Sequence, residues 1–106
     1  MTELALHVLL SLGDGPAHGY AIGKDIDGRT GGRLDPATGS LYQVIKRLSD
    51  DGLIRPASPP QSDSDARRKY FALTPAGRHA AAAELHRLDE ILQVGRKRHL
   101  HKAHAR

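Results

Sequence analysis

The chain has 106 residues, of which 39% are hydrophobic and 26% charged, values typical of one small soluble domain. It has no cysteine, which excludes disulfide scaffolds, thiolate metal sites and cysteine nucleophiles, and no apolar stretch approaches the ~20 residues of a membrane span. The net charge is +4, but residues 96–106 hold five basic side chains and no acid, so residues 1–95 carry a charge of −1. We therefore expect a cytoplasmic domain, and nucleic-acid binding by its body must depend on where its charges lie.

Two helices are predicted before residue 31. The first covers Thr2–Leu12, with Thr2 as its N-cap and with Leu4 and Val8 on one face. A Gly-Asp-Gly-Pro turn ends it. The second covers His18–Thr30, where two isoleucines one turn apart face the core and paired glycines follow the last turn. These two segments form the first part of a helical bundle.

The third helix has the clearest sequence signals. Asp35 and Pro36 are typical of an N-cap and the first helical position, and Gly52 is typical of the position after the last turn. Apolar residues at i, i+4 and i+7 predict one buried stripe, formed by Leu41, Ile45 and Leu48. The opposite face of this helix is therefore fixed as the solvent side.

A β-hairpin and a long helix follow. Residues 53–55 and 67–73 are predicted strands, and the polar residues 58–66 between them are expected to form a mobile tip. Thr74 and Pro75 predict the start of a fourth helix that runs to about residue 98. Its apolar residues recur at spacings of 4, 3 and 4, as in a coiled-coil seam. They are Ala81, Leu85, Leu88 and Leu92.

The element order predicts a mainly α fold with a small β-hairpin, namely a winged helix-turn-helix followed by a long C-terminal dimerisation helix. We assign residues 1–74 to the winged helix-turn-helix, residues 75–98 to the dimerisation helix and residues 99–106 to a basic, histidine-rich tail. This tail is either disordered and only aids solubility, or it binds DNA nonspecifically by neutralising phosphates. So small a monomer cannot cover the whole seam, which predicts a dimer. The interface predicted from this seam consists of Leu85, Leu88, Ile91 and Leu92.

The solvent face of the third helix is polar, and DNA reading is one use for such a face. Glutamine pairs with adenine, and lysine or arginine pairs with guanine or phosphate. Residues 36–49 carry +2 and residues 55–69 also carry +2, whereas the first 35 residues carry −2. A polar helix face is often only solvated, but this charge placement favours DNA binding. The predicted reading residues are Thr38, Gly39, Ser40, Tyr42, Gln43, Lys46 and Arg47.

Five motifs occur in order along the chain. They are His18-Gly19-Tyr20, Gly39-Ser40-Leu41-Tyr42, Lys46-Arg47-Leu48, Asp51-Gly52-Leu53-Ile54 and the run from Arg68 to Arg78. Over about residues 3–92, this ordered set resembles the PadR-type transcriptional regulators. Each motif alone is weak, and the set together is fairly specific.

The resemblance implies a homodimeric repressor whose third helices enter adjacent major grooves and whose wings touch the DNA backbone or minor groove. It also implies a dimer built by the N-terminal and C-terminal helices, which adds Leu4 and Val8 to the predicted interface. It implies inverted-repeat operator DNA as partner, and a small-molecule effector in a cavity at the dimer interface, walled by the first and fourth helices. Tyr42 either donates to a phosphate or packs at the helix edge, while His18 is interpreted as a cap or packing residue and Tyr20 as core. At the base of the wing, the implied DNA contacts are Arg67, Arg68 and Lys69.

The chain departs from the family pattern in two respects, and the sequence leaves two alternative functions open. The chain has one helix after the hairpin and no tryptophan, so recognition of flat aromatic drugs by tryptophan is absent. A protein-binding winged helix would show apolar residues on the third helix, and a metal-responsive repressor would need an ordered ligand set. The seven histidines lack such spacing, so we expect no metal and no cofactor. Neither a phosphate loop nor a nucleophile elbow is present, so we expect no enzyme.

Overall fold

The computed structural model describes residues 1–35 and 38–104. Its elements are α1 (Glu3–Ser11), β1 (Ala17–His18), α2 (Gly19–Arg29), α3 (Thr38–Asp50), β2 (Ile54–Ala57), β3 (Tyr70–Leu73), α4 (Pro75–Lys97) and a 3-10 turn (His101–His104). The predicted mainly α fold with a small antiparallel sheet is confirmed. The 3-10 turn lies in the tail, for which the sequence predicts no regular structure.

Side-chain caps set the starts of three helices. Thr2, His18 and Thr74 each accept a hydrogen bond from the backbone N–H three residues later, at 3.1, 3.2 and 3.0 Å. These bonds satisfy amides that have no partner inside the helix, so the chain turns into helical geometry at those residues. The predicted caps of α1 and α4 are confirmed, as is the interpretation of His18 as a cap. The cap predicted for α3 involves Pro36, which lies outside the described residues.

The end of α3 is set by Gly52. Its φ is +75°, a conformation that a side chain disfavours, and its N–H donates to the carbonyl of Ser49 at 3.0 Å. The N–H of Leu53 then donates to the carbonyl of Leu48 at 2.9 Å. This pair of bonds is the Schellman closure that the sequence predicts, and it directs the chain into β2.

The core lies where α1, α2 and α3 meet over the sheet. The predicted stripe of α3 is confirmed, since Leu41, Ile45 and Leu48 are all buried. From α4, only residues near its start reach the core, and Gly77 lies so close to the carbonyl of Leu53 that a Cβ at this position would collide with it. The remaining fully buried side chains of the core include Val8, Leu9, Leu12, Ile22, Ile26 and Ile54.

The sheet has three antiparallel strands in the order β1-β3-β2. The predicted hairpin is present as β2 and β3, which pair from Ile54 opposite Leu73 to Ala57 opposite Tyr70. Because β2 is an edge strand, Pro56 fits within it without breaking a ladder. The third strand, β1, places His18 opposite Tyr70 and is absent from the prediction, since two residues carry no periodic signal. Strand β3 also begins three residues later than predicted.

The C-terminal part of α4 extends away from the rest of the molecule. The molecule as a whole measures 51 × 29 × 24 Å. The first turns of α4 pack against α1 and β3, whereas residues 85–94 have no buried side chain. Among the residues that the structure describes, no helix is long and apolar enough to cross a membrane.

Candidate nucleic-acid interface

The solvent face of α3 carries the side chains that the sequence assigns to DNA reading. Opposite the buried stripe, the exposed residues of this group are Gly39, Ser40, Tyr42, Gln43, Lys46 and Arg47. The side chain of Thr38 lies outside the described residues. Because an α-helix repeats every 3.6 residues, burial of one stripe orients all the others outward together.

A groove of about 610 Å³ separates α3 from the wing, which we define as residues 54–73. Lys46 lines it from α3, and Arg68 and Lys69 line it from the wing. Helix and wing thus present positive charge to one groove, with Tyr42 and Phe71 among its walls. The structure thus brings Lys46, Arg68 and Lys69 to one groove.

The other flank of α3 faces a second groove, of about 700 Å³, against the start of α1. Ser40, Gln43 and Arg47 line it on the α3 side, and Leu4 lies on the α1 side. The predicted reading residues therefore divide between two flanks of one helix. Gln43 and Arg47 lie away from the wing, and Lys46 lies towards it.

Lys46 has a carboxylate partner on its own helix. Its Nζ lies 2.9 Å from Oδ2 of Asp50, one turn later, and both side chains are well exposed. Exposed pairs at this spacing contribute little to stability, because both ions remain hydrated. Lys46 can therefore leave Asp50 and pair with another anion at little cost in stability.

Carboxylates also organise the tip of the wing. Asp63, whose side chain is 8% exposed, accepts hydrogen bonds from the Tyr70 hydroxyl at 2.5 Å, the Asp65 N–H at 2.9 Å and Arg68 at 3.4 Å. The bond from Tyr70 is the main reason that the pKa of Asp63 is lowered, and it raises the pKa of Tyr70. Asp65 accepts from the backbone N–H of Arg67 at 3.0 Å and from its Nε at 3.2 Å.

These acidic residues are functional candidates that sequence reasoning misses, because residues 58–66 are predicted only as a mobile polar loop. The available signal is two aspartates two residues apart, directly before the basic Arg67-Arg68-Lys69 run. Local carboxylate–amide turns of this kind are common where Asp precedes a tight bend. The tip is therefore tied to the basic residues at the base of the wing.

Two tyrosine side chains pack on residues at the start of α2. Tyr42 is 46% exposed and its ring lies against the backbone of Gly19. Tyr20 is 66% exposed, its ring stacks on His18 with 6.3 Å between centroids, and Lys24 Nζ lies 5.6 Å from its centroid. The prediction that Tyr20 is a core residue is wrong. The buried face of α2 is occupied by its isoleucines, and position 20 lies off that face.

A second surface, the α4 seam, is apolar and uncovered. Its members are 40% to 56% exposed and comprise Leu85, Leu88, Ile91 and Leu92. On α1, Leu10 is also exposed, and Leu4 is half-buried beside the second groove. Val8, which the sequence assigns to the dimer interface, is 0% exposed and packs inside the protomer. It therefore has no surface to offer a partner.

No group of three or more His, Asp or Glu side chains within residues 1–35 and 38–104 is placed to hold a metal ion. On α4, His86 faces Glu90 at 3.8 Å, one turn away, as part of the exposed helix surface.

Comparison with known proteins identifies the family. The sequence model of the PadR-like family of transcriptional regulators matches residues 8–83. The chain belongs to the PadR-like family. A transcriptional regulator of Mycobacterium tuberculosis, Rv3488, is 37% identical over 86 residues, which cover 81% of this chain and 76% of that protein. An uncharacterised 37.1 kDa protein in transposon TN4556 of Streptomyces fradiae is 43% identical over 84 residues, or 79% of this chain and 22% of that protein.

The PadR-family chain thus spans about a fifth of the Streptomyces protein. Solved structures share its fold. A PadR family transcription regulator of Clostridium difficile R20291 matches with a TM-score of 0.76 and 23% identity, covering 91% of this chain and 97% of that one. Bacillus subtilis PadR, solved in complex with operator DNA, matches with a TM-score of 0.67 and 24% identity, covering 79% and 47%. The predicted family and winged-helix fold are confirmed, and PadR-family proteins are transcriptional regulators, not enzymes.

Proposed function

We propose that this PadR-family regulator binds double-stranded DNA sequence-specifically, as a homodimer that represses transcription. The observation that carries the proposal is the shared basic groove, in which Lys46 of α3 faces Arg68 and Lys69 of the wing. A groove between a reading helix and a wing is where a DNA backbone passes when the helix enters the major groove. Bacillus subtilis PadR, which shares this fold, was solved in complex with operator DNA, and this supports DNA as the ligand of the chain.

The two flanks of α3 suit different tasks. Gln43 and Arg47 can form bidentate hydrogen bonds with adenine and guanine edges, so they are the proposed source of sequence specificity. Lys46 and the wing residues Arg67, Arg68 and Lys69 contact phosphates, which supply affinity but no sequence information. Thr38, Gly39 and Ser40 lie at the start of α3, where free backbone N–H groups favour a phosphate.

The proposed dimer forms through the α4 seam, together with α1. A small domain does not normally expose four large apolar side chains on one helix face. This exposed apolar surface supports burial of the seam against a second copy. Leu4 and Leu10 are the α1 residues available for this contact, and Val8 is excluded by its burial. Two-fold symmetry then places two α3 helices on an inverted repeat with half-sites ~34–36 Å apart.

Release of DNA by a small-molecule effector at the dimer interface is the finer part of the proposal. The groove beside Leu4 supports it in part: α1 forms one wall, as the sequence predicts, but Ser40, Gln43 and Arg47 of α3 form the other wall, where the sequence predicts α4. A ligand there would touch reading residues directly. A thermal-shift screen tests this point, because a bound ligand raises Tm. A ligand that raises Tm yet leaves DNA affinity unchanged would contradict effector control.

Fluorescence anisotropy tests DNA binding itself. The protein is titrated at two salt concentrations into the DNA upstream of its own gene and into a scrambled duplex of equal length. Preference for the native duplex at both salts supports an autoregulatory repressor. Equal and steeply salt-dependent binding to both duplexes contradicts sequence-specific recognition of this DNA, and no binding to either favours a protein-binding winged helix.

A further inference from the structure

The backbone conformation at position 19 does not require a glycine. Gly19 is buried at the first position of α2, and it is not among the glycines with positive φ, which are Gly15, Gly31, Gly32 and Gly52. Alanine favours a helix over glycine, so backbone conformation alone would select alanine here. The reason for glycine must lie in what packs on it.

The phenol of Tyr42 lies directly on Gly19. A Cβ at position 19 would stand 2.7 Å from Cζ and 2.8 Å from Cε1 of Tyr42, and closer still to the hydroxyl oxygen. Such distances are shorter than real Cβ contacts, so alanine would force the ring away. Because the ring is rigid beyond two torsions, it can move only by swinging off the start of α2.

Tyr42 stands where α2, α3 and the wing meet. It lines the groove between α2 and α3 with Lys24, the groove between α3 and the wing with Lys46, and the groove between α2 and the wing with Lys69. The first of these grooves also contains Asp27 and Asp35, and the last also contains Asp65. The groove between α3 and the wing has basic side chains and no carboxylate in its lining, so it is there that the hydroxyl is placed to donate to a phosphate of the DNA backbone.

We propose that Gly19 is a positioning residue for DNA binding: it lets the Tyr42 ring lie across the start of α2, and so holds the Tyr42 hydroxyl towards a backbone phosphate. This inference rests on the proposed function. Gly19 itself lies beneath the ring and does not touch DNA, so its effect on affinity must pass through Tyr42.

The first experiment measures the hydroxyl alone. Tyr42→Phe keeps the ring on Gly19 and removes the donor. We expect about a tenfold loss of DNA affinity, as for a hydrogen bond to a charged group, with Tm unchanged. Unchanged affinity of Tyr42→Phe would overturn the phosphate contact.

The second experiment is a double-mutant cycle of Gly19→Ala with Tyr42→Ala, read by DNA anisotropy and by thermal unfolding. Gly19→Ala should lower DNA affinity in the wild-type background and not when residue 42 is alanine, because contacting residues are not additive. Its effect on Tm should be more favourable when residue 42 is alanine than in the wild type, since alanine favours the helix and only the Tyr42 ring opposes it. Equal losses in both backgrounds, or wild-type behaviour of Gly19→Ala, would overturn the proposal. Gly28→Ala is the matched control on α2, since no atom lies within 4 Å of a Cβ built there, and it should bind DNA as wild type does.

Two further outcomes separate the possible failures. If Gly19→Ala does not fold, the double variant with Tyr42→Ala should fold, and failure of both would assign Gly19 a role independent of Tyr42 and overturn the proposal. The unfolding cycle needs no DNA. If the wild type binds no duplex, the proposed function fails and the positioning role fails with it, although a Tm effect of Gly19→Ala that depends on residue 42 would still demonstrate the contact between the ring and Gly19.

Discussion

We expect individual side chains to determine the affinity of the basic groove for DNA, and Lys46 is the clearest case. Its exposed ion pair with Asp50 is weak, so a phosphate can replace the carboxylate. We predict that Lys46→Ala weakens DNA binding and that Asp50→Asn strengthens it, because the latter removes a negative charge beside the backbone. Anisotropy measures both. Arg78→Ala is the control, since its groove is lined by no α3 residue, and equal effects of Lys46→Ala and Arg78→Ala would contradict the assignment.

Arg68 is predicted to contact a phosphate from the base of the wing. Each neutralised phosphate releases counterions, so Arg68→Ala should reduce the slope of log affinity against log salt by ~1. The measurement is a salt titration of wild type and variant on one duplex. An unchanged slope would show that Arg68 stays with Asp63 and Asp65 in the complex, where it lies in the free protein.

Asp63 should make stability depend on acid pH. The hydrogen bond from Tyr70 lowers the pKa of Asp63 in the folded state, so its contribution to stability is present above the ordinary carboxyl pKa and is lost as pH falls through the lower, folded-state value. We predict that Asp63→Asn lowers Tm at neutral pH and flattens the fall of Tm below about pH 4. Thermal melts across this range test the prediction, and parallel curves for the two proteins would contradict it.

Among the secondary-structure elements, α4 allows the simplest test, because its seam contributes nothing to the protomer core. Leu88→Asp should therefore give a folded monomer, with helical circular dichroism retained and the sedimentation coefficient reduced. Gln93→Asp, about 140° around the helix from Leu88, is the matched control and should remain a dimer. A dimeric Leu88→Asp variant would move the interface off this seam.

The elements also show which features the sequence encodes locally. The helix starts at Thr2 and Thr74 and the closure at Gly52 are predictable, because each depends on a few neighbouring residues. Strand β1 is not, since two residues become a strand only by pairing with β3. The exposure of Tyr20 and the packing of the Tyr42 ring on Gly19 depend on contacts between different elements. The spacing of residues along the chain does not reveal such contacts.

The carboxylates of the wing belong to the same class of unpredicted contact. Asp63 is held by Tyr70, seven residues away, through a bond that requires β3 to be in place. By contrast, the exposed polar face of α3 is predictable for its described side chains, because burial of one helical stripe determines the opposite one. Helical periodicity thus locates the proposed DNA-reading face, and contacts between elements determine which side chains surround it.

The shape of the whole molecule connects the two surfaces. An elongated α4 carries the apolar seam, while α3 and the wing carry the basic groove on the winged-helix body. Pairing two copies through α4 would join two such grooves with two-fold symmetry, and the DNA site would then share that symmetry. We therefore expect recognition to require two copies of α3 at a fixed separation.

Selection from a random-sequence duplex library tests this requirement most directly, because the library samples every operator sequence without favouring one. We predict that the enriched duplexes share an inverted repeat whose half-site centres lie about one helical turn, 10–10.5 base pairs, apart. We also predict that monomeric Leu88→Asp enriches no such repeat. Enrichment of a single unrepeated site, or no enrichment over the input library, would contradict a dimer that reads DNA through paired α3 helices.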